Sequence, residues 1–167
     1  APDAFYPALF HGWALARIGR CGEALEPLET AVELRPDHVQ ARILIARCCL
    51  EQNLPDGIPH LRKLAETEAY AGARERATLF NDLGYLYTLG GDHRRAEQAF
   101  RRAIELNPGH ARALQNMAVL HDRFLDHRHG ALRYYRYALG AYQKAQEPGR
   151  QAAILQRLRQ MAQERME

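Results

Sequence analysis

Toward the end of the chain, Ile154, Leu155, Leu158, Met161 and Ala162 recur at the three- and four-residue spacing that places them on one apolar stripe. Arg150, Arg157, Arg159 and Arg165 fall on the opposite, wet side. The same reading along the chain predicts helices near 4–18, 22–34, 38–51, 56–68, 74–89, 93–106, 110–124 and 128–146, and a last one near 149–165. Asp37 and Asp92 are placed to accept the free backbone N–H groups of the helices that follow them. Pro36 and Pro108 stop helices, because proline has no backbone hydrogen to donate. Pro148 suits a first helical turn. Pro27 falls inside the second helix and is expected to bend it or to lower its stability.

The pattern also repeats at longer range. Gly12, Ala24, Leu28, Ala31 and Pro36 are separated by steps of 12, 4, 3 and 5, and so are Gly84, Ala96, Phe100, Ala103 and Pro108. The closing words nearly match: Ala31-Val-Glu-Leu-Arg-Pro36 against Ala103-Ile-Glu-Leu-Asn-Pro108. Each type has a physical reason. A glycine lets two antiparallel helices approach closely, and the large Leu83 and Tyr87 fill the gaps beside Gly84. Ala24 and Ala96 are small where the second helix crosses the first. Leu28 and Phe100 plug the space toward the next pair.

Two divergent copies complete the array. Ala46 lies 34 residues after Gly12 and Ala118 lies 34 after Gly84, the period of a helix–turn–helix unit. Four extra residues precede Gly84, expected around Thr67 to Ala73. The turn before Ala131 is one residue longer than its counterparts, after which Tyr135 and Ala138 keep the 4 and 3 spacing.

Leu83-Gly84-x-x-Tyr87, Ala96, Phe100 and Pro108, with His11, Gly12 and Leu15 in the first copy, resemble the tetratricopeptide repeat family. The likeness is to its bacterial adaptor and scaffold type and covers nearly the whole chain. The resemblance implies an all-α, right-handed solenoid of four helix pairs plus a C-terminal capping helix. The organisation expected is one domain over 1–167, with repeats near 4–36, 38–70, 74–108 and 110–146 and the cap near 149–165. No comparable cap is evident at the N-terminus.

In that family the first helix of each pair lines a concave groove that binds a partner peptide or helix. Carried over by spacing, the groove would hold Tyr6, Leu9, Trp13 and Arg17 from the first repeat and Ile43, Arg47 and Leu50 from the second. Thr78, Asn81, Tyr85 and Thr88 would come from the third, and Arg112, Gln115, Asn116, Val119 and Asp122 from the fourth. Trp, Tyr and Arg are common binding hot spots. The bland alternative is that Trp13 and Tyr85 pack between helices. Chaperone co-factors of the family grip a C-terminal carboxylate with a Lys and an Asn in the first repeat. Leu9 and Trp13 stand there instead, which argues against that subtype.

Composition narrows the classes. Of the 23 lysines and arginines only Lys63 and Lys144 are lysine, and serine is absent, which suggests a bacterial coding sequence. Runs of Val, Ile and Thr that a sheet would need are missing. A net charge of +3 supports no claim on nucleic acid. Arg94, Arg95, Arg101 and Arg102 are balanced by Asp92, Glu97, Glu105 and Glu164 and read as a solvated face. No run of about 18 apolar residues suggests membrane insertion. The chain opens without a methionine or a visible signal peptide, as a fragment or a protein with a removed signal or anchor would. The compartment is therefore open between bacterial cytoplasm and periplasm, the latter including a lipoprotein.

Candidate chemistry is thin. Without serine there is no serine nucleophile. Leu89-Gly-Gly-Asp-His93 reads as a tight turn rather than a phosphate loop. Cys21 lacks the neighbours that activate a thiol, and Cys48 and Cys49 suit burial better than a disulfide. Asp126, His127 and His129 with His121 lack zinc spacing and read as a solvated loop. The Tyr134-Tyr135-Arg-Tyr137 cluster reads as core and helix packing. The expectation is a non-catalytic protein-binding module without metal or cofactor. It could be an adaptor in bacterial envelope, pilus or secretion assembly, or the substrate-recruiting arm of a larger enzyme such as a glycosyltransferase. Self-association through the uncapped N-terminal repeat is a further option.

Overall fold

The computed structural model describes residues 4–67 and 72–164, and no strand occurs among them. Among the described residues nine α-helices follow in order. They are α1 (Phe5–Arg17), α2 (Cys21–Leu34), α3 (Val39–Gln52), α4 (Ile58–Glu66), α5 (Ala73–Leu89), α6 (His93–Leu106), α7 (Ala111–Arg123), α8 (Arg128–Lys144) and α9 (Pro148–Gln163). The second copy departs most from the expected span. A 3-10 turn, Pro55–Gly57, precedes α4, whose nine residues end at Glu66. The expected four-residue insertion falls mainly on 68–71, outside the described residues, as does Arg165.

Close contacts divide the chain into two compact units. One is Ala1–Gly72 with Leu89–Gly91, and the other is Ala73–Thr88 with Asp92–Glu167. In the first, α2 packs against both α1 and α3. Phe5, Leu15, Ala24, Leu28, Ala31, Ile45 and Cys48 form its core. Gly12 is small for a visible reason: a Cβ there would stand 2.5 Å from Leu28 Cγ. Gly84 plays the same part in the second unit, where a Cβ would stand 2.5 Å from the Phe100 ring. Phe100 packs with Ala96, Met117 and Leu120. A further cluster joins Leu114 and Ala118 of α7, Tyr135, Ala138 and Tyr142 of α8, and Ile154 and Met161 of α9.

Caps and turns follow local chemistry with one correction. Asp92 caps α6, its Oδ1 accepting from the Arg95 amide at 3.0 Å. At α3 the cap is His38 instead of Asp37, its Nδ1 accepting from the Ala41 amide at 3.2 Å. His110 does the same for α7, accepting from the Ala113 amide at 3.1 Å. Gly91 has φ +77, a left-handed turn conformation that suits glycine. Helix α2 continues through Pro27.

Helix α9 packs along α8, but its apolar stripe is narrower than the spacing suggests. Ile154 and Met161 are buried and Leu158 is half-buried, whereas Leu155 and Ala162 are exposed. Arg157 is not on the wet side: it lies against α7 and holds Asp122.

Candidate partner-binding site

Helix α1 has a core side, with Phe5, Gly12, Leu15 and Ala16 buried, and a second apolar side left open. At helical pitch Tyr6, Phe10, Trp13 and Arg17 lie within a narrow stripe. Phe10 is 61% exposed and Trp13 44%. The Tyr6 and Phe10 rings stack at 6.3 Å. Arg17 lies over the Trp13 ring at 5.0 Å, and Arg35 over Phe5 at 4.1 Å and Tyr6 at 4.9 Å. These cation–π contacts hold Tyr6 and Trp13, which remain exposed, and the buried Phe5. Leu9 is half-buried against the core. On α3, Ile43 and Leu50 are half-buried and Arg47 is exposed.

Several residues expected from the third and fourth repeats are tied to neighbouring helices. Asn81 is only 1% exposed, so it does not present an open amide. Its Nδ2 donates to Asp82 Oδ1 at 3.0 Å, and its Oδ1 accepts from Asn116 Nδ2 at 2.9 Å. The pair joins α5 to α7. Burial pushes the Asp82 carboxyl upward, against the pull of Asn81 and Arg112. Gln115 Oε1 accepts from the Tyr142 hydroxyl at 2.8 Å, joining α7 to α8. Asp122 accepts from Arg157 Nε at 2.7 Å, Arg157 Nη2 at 2.8 Å and the Tyr135 hydroxyl at 3.1 Å. Those hydrogen bonds, Arg157 first, hold Asp122 below the usual carboxylate range. Burial first, and then Asp122, push the Tyr135 phenol up to about 12. Tyr85, Thr88 and Val119 are half-buried, while Thr78 and Arg112 are exposed.

A tetratricopeptide repeat profile matches residues 11–75, and a second of the same description matches 77–110. Together they span more than half of the chain. The chain belongs to the tetratricopeptide repeat family. Solved structures of MamA share the fold. MamA from Desulfovibrio magneticus RS-1 aligns with a TM-score of 0.70 at 21% identity, over 88% of this chain and 78% of that one. Another crystal structure of MamA gives 0.70 at 17% identity, over 98% and 92%. A MamA double mutant gives 0.71 at 21% identity, over 89% and 79%. No curated protein sequence matches significantly. The fold class is thus the all-α tetratricopeptide solenoid, and the chain is a protein-interaction module.

The repeat frame exposes a feature that residue-by-residue reading missed. Pro7, Phe10, His11 and Ala14 precede Ala41, Leu44, Ile45 and Cys48 by one period of 34. The four α3 residues are buried, and α3 packs against α2. The four α1 residues are exposed. Phe10 could have been found from that register alone.

Cys21 Sγ donates to Glu51 Oε2 at 3.0 Å, and burial first pushes the thiol up to about 12, the opposite of an activated thiolate. Cys48 and Cys49 are buried, and Cys49 is pushed up to about 11. His121 is not in a solvated loop. It is buried on the last turn of α7, its Nδ1 lying 3.0 Å from His127 Nδ1. Asp126, His127 and His129 are exposed. No group of three or more potential metal ligands occurs among the described residues. Nor is any described helix long and apolar enough to cross a membrane.

Proposed function

We propose that the chain works without chemistry of its own, by holding a segment of a partner protein against the first-helix faces of its repeats. In the first unit these are α1 and α3. The observation that carries this reading is the stripe Tyr6, Phe10, Trp13 and Arg17. Large aromatics half-exposed on a rigid helix, backed by arginine, give contact area at low entropic cost and are the residue types in which binding energy concentrates. In the second unit, taken by itself, the first-helix faces carry Tyr85 and Arg112, and Asn81, Gln115 and Asn116 tie α5, α7 and α8 together.

The test is affinity for the partner captured from the source organism and then purified. Trp13→Ala should weaken binding roughly thirtyfold, the factor for a hot spot of about 2 kcal/mol. Arg47→Ala should weaken it less. Both exposed positions can change without unfolding the helices, which circular dichroism would verify. Unchanged affinity in both variants would remove the reading. The partner also decides the pathway. A component of the envelope, a pilus or a secretion system would make the chain an adaptor there. A catalytic domain on the same polypeptide would make it a recruiting arm.

A second reading rests on the exposed Pro7, Phe10, His11 and Ala14. Their counterparts on α3 are buried where it packs against the helix before it, so this face fits another helix. Self-association through it is checked by light scattering at two concentrations. Phe10→Glu should abolish any rise in mass with concentration, and a constant monomer mass would exclude it.

A further inference from the structure

The second unit contains a cationic cleft outside the aromatic stripe. It has a volume of about 400 Å³ and lies where α5, the α6–α7 turn and the start of α9 meet. Three arginines line it: Arg74 of α5, Arg112 of α7 and Arg150 of α9. All three are exposed, and none has an ion-pair partner among the described residues. Some other arginines are paired. On α6, Arg95, Arg101 and Arg102 are paired with Asp92, Glu97 and Glu105 at 3.5, 2.8 and 3.0 Å. Arg157 is paired with Asp122 and Glu164. The cleft thus gathers three exposed arginines without an ion pair among the described residues around one hollow.

The rest of the lining adds to the positive potential. The cleft opens on the N-terminal turn of α7, where the first amides have no acceptor within the helix. His110 caps that turn through Nδ1. Its Nε2 lies 3.3 Å from Thr78 Oγ1, whose hydroxyl donates to the Arg74 carbonyl at 3.4 Å. The cap therefore needs a neutral ring with its proton on Nε2. Burial first, and the Arg112 charge with it, keep His110 below the usual histidine range. The one acid on the wall, Glu147, makes no ion pair among the described residues and leaves the cleft net positive.

We propose that this cleft binds an acidic stretch of a partner protein, with at least two carboxylates gripped by Arg74, Arg112 and Arg150. The proposal rests on the reading that the chain holds protein segments, because Arg112 belongs both to the cleft and to the first-helix face of α7. Arginine forks match carboxylate geometry and hold it with two parallel hydrogen bonds. Single-stranded nucleic acid would require exposed aromatic platforms as well. The aromatic residue on this wall, Tyr142, is buried, and its hydroxyl is held by Gln115.

The probe is a fluorescein-labelled ten-residue peptide alternating Glu with Ala, beside a twin with Gln in place of Glu, followed by anisotropy at low and at physiological salt. The wild type should bind the Glu peptide saturably, more weakly as salt rises, and the Gln peptide not at all. Arg74→Gln/Arg112→Gln/Arg150→Gln should weaken binding about tenfold or more, the factor for losing one charge-assisted hydrogen bond. Arg95→Gln/Arg101→Gln/Arg102→Gln removes the same charge from paired positions and should change binding little. Three results would overturn the proposal: no saturable binding, equal loss in both triple variants, or stronger binding of an oligothymidine through the same arginines. Failure here with Trp13-dependent capture intact removes the cleft alone. Capture of the purified partner insensitive to Trp13→Ala and to the first triple variant removes the broader reading as well.

Discussion

A methyl group at Gly84 would have to displace the Phe100 ring, and one at Gly12 would have to displace the branch point of Leu28. Alanine gains about 1 kcal/mol of helix propensity over glycine, but overpacking costs about 1–3 kcal/mol. A flat ring yields less readily than a leucine. Gly84→Ala should therefore lower stability by about 1–2 kcal/mol in urea unfolding, and Gly12→Ala by less. Burial depresses the basicity of three histidines, His60, His110 and His121. A histidine whose folded pKa lies below its unfolded value resists protonation only when folded. Stability should thus be full above about pH 6.5 and decline as pH falls below it. Urea midpoints measured from pH 7.5 down to 5 check this, and a flat profile would contradict it. The glycines were legible because spacing alone reveals a small residue where two helices cross. Asn81 and His121 were not: Asn81 meets Asn116 of α7 and His121 lies beside His127, contacts that helical spacing does not show.

Most helices were legible to within a residue or two, because Pro, Gly and Asp punctuate them. The misses have physical causes. His38 took the α3 cap from Asp37 because its ring nitrogen reaches the Ala41 amide. Arg157 read as solvent-facing on a helical wheel, yet it is drawn inward by Asp122. Replacing Asp122 with Asn should loosen α9 and lower stability by about 2 kcal/mol, the size of a charged hydrogen-bond pair. Hydrogen exchange should quicken first in α9. Because the folded Asp122 pKa is depressed, its contribution is complete at neutral pH and persists at pH 5. It is lost as pH falls below the unfolded carboxylate value near 4. The gap between wild type and Asp122→Asn should accordingly close at low pH. In α2, Pro27→Ala restores a backbone donor and should raise stability by up to about 3 kcal/mol.

At the scale of the molecule, the repeat spacing gave the family and the helix pairs, and profile matches over 11–75 and 77–110 agree with it. The proposed binding surface was legible unevenly. The α1 stripe was readable except for Phe10, whose exposure follows from its place in the repeat. The polar residues of the third and fourth repeats were read as open, but half of them brace neighbouring helices. The arginine cleft draws on three helices far apart in sequence and could not be seen in any one of them. The central claim is that partners are held on the first-helix faces, and site-specific photo-crosslinking in the source organism tests it most directly. A benzophenone amino acid at Trp13 should give one discrete adduct with a partner protein, and the same group at exposed Glu33 on α2 should give none. Equal adducts from both positions, or adducts from Glu33 alone, would contradict the account.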